Sequence, residues 1–516
     1  MKICLVFMPV WAVLLAAETA PVFQFAEKPG PYGVGLKVVE QYDYSRIYRR
    51  KTDDLGKAYR GERARPLQTL VWYPAEKSGN KAMTVGDYGQ LLATETSFGD
   101  PRMTKDAKEF IAGITPTLKM PMWAVRAAPA AVGRFPVVIY APSFSAMSWE
   151  NADLCEYLAS HGYVVLASPD MGAHRRGMTD DLVGISAQAA DVSFLIGYAQ
   201  TLPNTDMTGV AVAGFSWGGI SNLFAAARDN RITALVALDG SMRYFAGLVK
   251  QAGDVHPENM TIPLLYFAQG EITLEEQAHY FADAGKSDGP NVLNAWTHGD
   301  LVTVHMLGLV HIEHSSMYQR NEDVWKHFSR MQKADYDRED GITGYAWIAR
   351  YTLQFLNAYL KHDAMAAEFL KKKPAENGVP RHFMTVNFRA AKGVPASFDG
   401  FRTEVGRQGF DRAADVYAAL QNDKSDFKLD EGELGSWSDE LVDDNRFKEA
   451  VALRKLNVQI HPDSASAYYE LAEAYEKSGD KQLAIESYKK TLAKDPDNED
   501  AQEKLKALES ATPVAK

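Results

Sequence analysis

Ser216 stands where a serine can be made into a nucleophile. It lies in Gly214-Phe215-Ser216-Trp217-Gly218, after the apolar run Val210-Ala-Val-Ala213 and ahead of the apolar-periodic Gly219-Ile-Ser-Asn-Leu-Phe224. A buried strand that turns sharply into a helix brings the flanking residues into collision unless they lack Cβ, which accounts for the glycines. The same turn leaves the serine strained and exposed, with a helix N-terminus behind it to stabilise developing negative charge. An incidental serine in a plain strand-to-helix turn is the bland alternative, and the context on both sides argues against it.

A serine hydroxyl attacks at neutral pH only when a base takes its proton. Three of the 12 histidines, His305, His311 and His314, fall in the stretch from Val302 to Met317, at the end of the last expected strand. His305 alternates within the strand and reads as a packed side chain. His311 and His314 both follow the strand end, and either could be the base. Their spacing could suit a metal pair, but no neighbouring cluster supplies further ligands, so neither a metal nor any other cofactor is expected. Two carboxylates could orient the imidazole: Asp239, ending the strand after the nucleophile helix, and Glu271, ending the next. The backbone N–H groups of Trp217 and Phe144, the latter in the loop Pro142-Ser-Phe-Ser-Ala146, are the expected oxyanion donors. His174-Arg175-Arg176 reads as a solvated loop near the same sheet edge.

The elements that must position these groups alternate between strands and helices from about residue 26 to 395. Strands are expected at 67–73, 136–142, 163–169, 209–214, 232–239, 262–268 and 301–307, with helices between them. Short apolar runs of this kind suit strands buried on both faces, and the alternation implies an α/β fold: a mostly parallel sheet with helices on both sides. Residues 344–370 read as one closing helix. About 60 residues separate the first two strands, an insertion at about 78–134 that is long for a connection and is read as a lid, a pocket wall or a surface excursion.

The C-terminal region, 400–510, has a different pattern. Ala465 to Asn498 spans 34 residues, with Tyr468, Leu471, Ala472, Tyr475, Ala484, Tyr488 and Pro496 at positions 4, 7, 8, 11, 20, 24 and 32. That is the tetratricopeptide repeat pattern, and Trp437, Leu441, Ala450 and Pro462 form a weaker copy one period earlier. An all-α repeat unit is expected, offering a surface for a protein partner or for self-association.

At the other end, Lys2, an apolar run to Leu15 and the small residues up to Ala20 read as a signal peptide over 1–20. The run holds about 13 residues against the roughly 20 needed to span a bilayer, so export to the periplasm or beyond is expected, without a transmembrane span. Only Cys155 of the two cysteines would remain, in an apolar-periodic stretch that suits a buried thiol. The net charge of −11, with no basic stripe to offset it, argues against nucleic acid as a partner.

The stretch from Trp72-Tyr-Pro74 through Gly214-Phe-Ser-Trp-Gly218 to Gly308-Leu-Val-His311 resembles bacterial relatives of the platelet-activating factor acetylhydrolases, grouped with dienelactone-hydrolase-like α/β-hydrolases. The resemblance covers most of 60–370 outside the insertion and implies an α/β-hydrolase sheet. It implies that the acid follows the strand after the nucleophile helix, in an Ala-Leu-Asp context, which selects Asp239, 23 residues after Ser216. The dienelactone pattern Gly-x-x-Asp fails at Gly270-Glu-Ile-Thr. The family's Gly-x-x-His selects His311. Where the family usually has His-Gly, this chain has Pro142-Ser143. The expectation is an exported serine hydrolase acting on small-molecule or lipid esters through Ser216, His311 and Asp239. A peptidase or amidase with the same triad, and a non-catalytic protein that binds through its repeats, are the alternatives.

Overall fold

The computed structural model describes residues 22–52, 55–99, 101–270, 291–328 and 335–510. The expected signal peptide and Glu271 lie outside them. Two compact units are present. Among the described residues, the larger comprises those within 22–255, 262–294 and 301–389, and the smaller those within 256–261, 295–300 and 390–510.

Among the described residues of the larger unit, ten strands form one sheet: β1 (Gly33–Ile47), β2 (Ala64–Ala75), β3 (Ala124–Arg126), β4 (Phe135–Ala141), β5 (Val164–Ala167), β6 (Thr205–Phe215), β7 (Ala234–Leu238), β8 (Leu264–Gln269), β9 (Leu301–Met306) and β10 (Met384–Arg389). Their spatial order is β10-β9-β8-β7-β6-β4-β5-β2-β1-β3. From β5 to β9 every pairing is parallel, while β2 and β10 join antiparallel. All residues of β4, β5 and β7 are buried, as near-continuous runs such as Phe-Pro-Val-Val-Ile-Tyr-Ala require when helices cover both faces. The chain steps from β4 outward to β5 and then returns to the other side of β4 at β6. The crevice at the carboxyl ends of β4 and β6 is therefore the switch point where a site is expected in such sheets.

Three strands have no clear signal in the sequence. β1 and β10 mix exposed polar and buried apolar residues, as outer strands do, so neither forms the apolar run that marks the inner ones. β3 has three residues only and comes from the insertion, where it pairs in parallel with β1. The insertion is built into the core: Met83, Val85, Tyr88, Ile114 and Met122 are buried with Trp72 and Trp149. The Tyr88 hydroxyl links it inward, accepting from Trp72 Nε1 at 2.7 Å and donating to Glu156 Oε1 at 2.6 Å.

The single closing helix expected at 344–370 is two helices, Arg338–Leu360 and Ala364–Lys371. His362 takes φ +54°, and the Asp363 side chain caps the second helix, so the apolar periodicity continues across a break in the backbone. The helix Leu182–Ala199, started by Asp181, is apolar and long enough to cross a membrane by those measures alone. Its Ile185, Ala189, Val192, Leu195 and Ile196 are buried, and it packs on the helix Trp217–Arg228.

The smaller unit stacks helix pairs. Glu431–Asp443 with Phe447–Ile460, and Ala465–Ser478 with Lys481–Lys494, are the two repeats; Glu499–Ser510 follows them and Phe398–Gln408 with Ala413–Asp423 precede them. The small residues of the pattern sit where helices meet: Ala450, Ala472 and Ala484 are fully buried, as are Tyr488 and Thr491. A larger side chain at these positions would separate the helices.

Candidate active site

Four neighbouring strand ends and one loop build the site. Ser216 follows β6 at φ +52° and ψ −117°, a conformation rare for a residue with a Cβ, and it immediately precedes the helix Trp217–Arg228. Its backbone is held on both sides: its N–H donates to Leu238 O at 3.1 Å, and its carbonyl accepts from Ser241 at 2.7 Å. The turn leaves no room beside it. A Cβ on Gly218 would lie 2.1 Å from Ala141 O, and one on Gly214 would lie 2.6 Å from Gly218. Because the first obstacle is backbone of β4, Gly218→Ala is expected to cost about 3 kcal/mol of stability, measurable by denaturant unfolding.

The structure brings Ser216, His311 and Asp239 together. His311 Nε2 lies 2.9 Å from Ser216 Oγ, and its Nδ1 lies 2.5 Å from Asp239 Oδ2. Asp239, at the end of β7 with φ +43°, is fully buried. Burial alone would raise its carboxyl; the hydrogen bond and charge of His311, with the Tyr244 hydroxyl, outweigh that and lower it to about 2. A carboxylate at Nδ1 keeps the ring proton there and leaves Nε2 free to accept from the serine.

His314 is placed differently. It is fully buried, its Nδ1 lies 3.1 Å from His311 O, and burial lowers its pKa to about 4. Phe215 lies against both rings, tilted to His311 at a centroid distance of 4.8 Å and stacked with His314 at 6.3 Å. His314→Ala is expected to leave ester turnover largely intact while lowering stability by about 2 kcal/mol, read from activity assays and thermal unfolding together. His305, half-buried in β9, pairs with Thr385 of β10.

Several supporting groups carry no signal in the sequence. The Tyr244 hydroxyl donates to Asp239 Oδ1 at 2.6 Å, and the Gln269 side chain accepts from the His311 backbone N–H at 2.7 Å. Neither residue belongs to a motif. Gln269 is visible only as the last residue of β8, and Tyr244 only as the fifth after Asp239. Behind the loop that follows β4, Glu150 is fully buried and pushed up to about 7 by that burial. It accepts from the Ser143 hydroxyl and, at 2.9 Å, from the Ser143 N–H. Phe144, partly exposed on this loop, meets Trp217 edge-on at 5.4 Å, and Phe245 meets Trp217 likewise. The two expected donor peptides therefore belong to residues in contact with each other. Arg176 is no solvated loop residue: it binds the carbonyls of Ser145, Ala146 and Asp170. The insertion is a pocket wall, its Leu92, Glu95 and Phe110 lining a cavity of about 460 Å³ with Ser145, Ala146 and Tyr318. Among the described residues no group of three or more His, Cys, Asp or Glu side chains is placed to hold a metal ion.

Residues 104–253 match the chlorophyllase family, and residues 437–499 match the tetratricopeptide repeat family. This chain joins a sheet of the α/β-hydrolase fold to a tetratricopeptide repeat unit. The chain is similar to a protein of Methylorubrum extorquens named as a carboxymethylenebutenolidase, 28% identical over 189 residues, 33% of this chain and 61% of that protein. A Synechocystis protein named in the same way is 30% identical over 131 residues, 23% of this chain and 53% of its own length. The chain thus spans less than two thirds of each of these relatives. Among solved structures, a ferulic acid esterase from Streptomyces cinnamoneus aligns with a TM-score of 0.46 at 18% identity, covering 66% of this chain and 93% of that one.

Proposed function

We propose that the chain is an exported serine hydrolase that cleaves carboxylic esters through Ser216, His311 and Asp239. The observation that carries this reading is the paired contact of His311, 2.9 Å to Ser216 Oγ on one side and 2.5 Å to Asp239 on the other. His311 Nε2 takes the serine proton as Oγ attacks the ester carbonyl, and Asp239 stabilises the imidazolium that forms. The oxyanion accepts from the N–H groups of Trp217 and Phe144. Collapse of the tetrahedral species breaks the bond to the alkoxy oxygen, and His311 returns the proton to that leaving group. Water then attacks the acyl-enzyme by the same route, releasing the acid and restoring Ser216.

The substrate is a small-molecule or lipid ester, and the partly exposed Phe144 gives it an apolar surface beside the nucleophile. Export is to the periplasm or beyond, after removal of residues 1–20, and the repeat unit serves a protein partner or self-association. The test is turnover of p-nitrophenyl esters of graded acyl length against peptide anilides by the purified full chain. Ester turnover well above anilide turnover supports the reading; the reverse order overturns ester hydrolysis in favour of amide hydrolysis.

A further inference from the structure

The insertion reaches the reacting centre through one ion pair. Glu95, in the insertion, is 5% exposed, and its Oε2 accepts from Arg176 Nε at 2.9 Å. Nη2 lies 2.8 Å from the same oxygen, and both Nη1 and Nη2 also bind main chain. Nη1 donates to Ser145 O at 3.1 Å and Asp170 O at 2.6 Å, and Nη2 donates to Ala146 O at 3.2 Å. Ser145 and Ala146 directly follow the residue whose N–H is assigned to the oxyanion.

Ser145 itself is tied at every polar atom. Its N–H donates to Asp170 Oδ2 at 2.7 Å, its hydroxyl accepts from Met178 N–H at 2.8 Å, and its carbonyl takes the arginine. Those bonds hold it at φ +57°, a left-handed conformation that a residue with a Cβ leaves unless its surroundings impose it. On the other side, Glu150 and Gln188 hold Ser143 and Pro142. The Phe144 peptide thus hangs between two anchored ends, and the one on the C-terminal side depends on Arg176.

We propose that Glu95 and Arg176 are positioning residues, a brace by which the insertion holds the Phe144 N–H in line for the oxyanion. The inference rests on the hydrolase reading above. A planar guanidinium suits the task because it aims several donors at fixed angles, which a lysine ammonium on a flexible stem does not. Glu95 orients that fork from a site where its charge would otherwise be buried unpaired.

The test uses the full chain carrying Arg176→Lys or Glu95→Gln. Rates are expressed per Ser216 site titrated with a fluorophosphonate, so that only folded enzyme is counted, and thermal unfolding is recorded alongside. The brace predicts a kcat lower by about 100-fold for Arg176→Lys, as for a loss of alignment near the reacting atoms. Glu95→Gln moves in the same direction by a smaller factor, and in both KM stays within about twofold, because the oxyanion that the Phe144 N–H serves forms only in the transition state. An unchanged kcat per titrated site in both variants, or activity that falls only in step with folded protein, overturns the brace and leaves the hydrolase reading standing. A wild-type chain that neither labels nor turns over ester overturns the hydrolase reading, and the brace falls with it.

Discussion

Ser216→Ala is expected to lower ester turnover by roughly a million-fold, as removing the nucleophile does in serine hydrolases. The substitution deletes one oxygen, and Ser216 N–H and C=O keep their bonds to Leu238 and Ser241, so the turn retains its anchors. Alanine also relieves nothing at φ +52°, because the strain belongs to the Cβ that both residues share. Stability is therefore expected to change little, and a fluorophosphonate probe that labels the wild-type chain will leave this variant unlabelled. Labelling that persists in a folded Ser216→Ala chain would move the nucleophile to another residue.

Asp239→Asn is expected to lower kcat by about ten-thousand-fold with little effect on folding. The surrounding donors give the reason. Oδ1 accepts from the Tyr244 hydroxyl at 2.6 Å and faces the Gln269 N–H at 3.5 Å, so an asparagine must keep its carbonyl oxygen there. Its NH2 then occupies the place of Oδ2 and donates to His311 Nδ1. That forces the ring proton onto Nε2, which faces Ser216 and can no longer accept from it. Tyr244→Phe frees the amide to turn over, so the double variant should recover part of the loss; kcat for the two variants checks this.

The same carboxylate sets an acid limit. Its folded pKa of about 2 lies below the ordinary value of about 3.9, so its contribution to stability is complete above the ordinary value. It is lost as pH falls from about 4 toward about 2, where the folded group takes up its proton. Over that window the melting temperature of the wild-type chain is expected to fall more than that of Asp239→Asn.

The sequence carries the local part of this arrangement clearly. Two glycines around Ser216, an apolar run before it and a periodic helix after it are requirements of one turn, and they are met within fifteen residues of chain. The repeats are legible for the same reason, since the small residues that let adjacent helices approach recur at a fixed period. The inner strands announce themselves as apolar runs because both of their faces are covered. β1 and β10 do not, because each has a side or an end that is only partly covered, and their residues follow that mixed environment.

The choice between His311 and His314 shows what local pattern cannot hold. They are three residues apart in one short helical turn, and either follows the last strand of the series. What separates them is direction: one ring lies against Asp239 and Ser216, and the other is buried beyond Phe215. The supports of the site lie further still from any local reading. Tyr244, Gln269 and Glu150 reach their places only when β4, β6, β7, β8 and β9 lie side by side, and Arg176 meets Glu95 across 81 residues of chain. From its letters alone, the chain specified a tight strand-to-helix turn at Ser216, the buried strands around it and a repeat unit, since each depends on packing between near neighbours. Only the tertiary structure placed His311 between Ser216 and Asp239, completed the hydrogen bonds of Asp239 and set the insertion along a cavity and against Arg176. Those outcomes depend on which distant side chains meet once the sheet has closed the loops between them, and a hydrogen bond at about 3 Å leaves no trace in the spacing of residues that far apart.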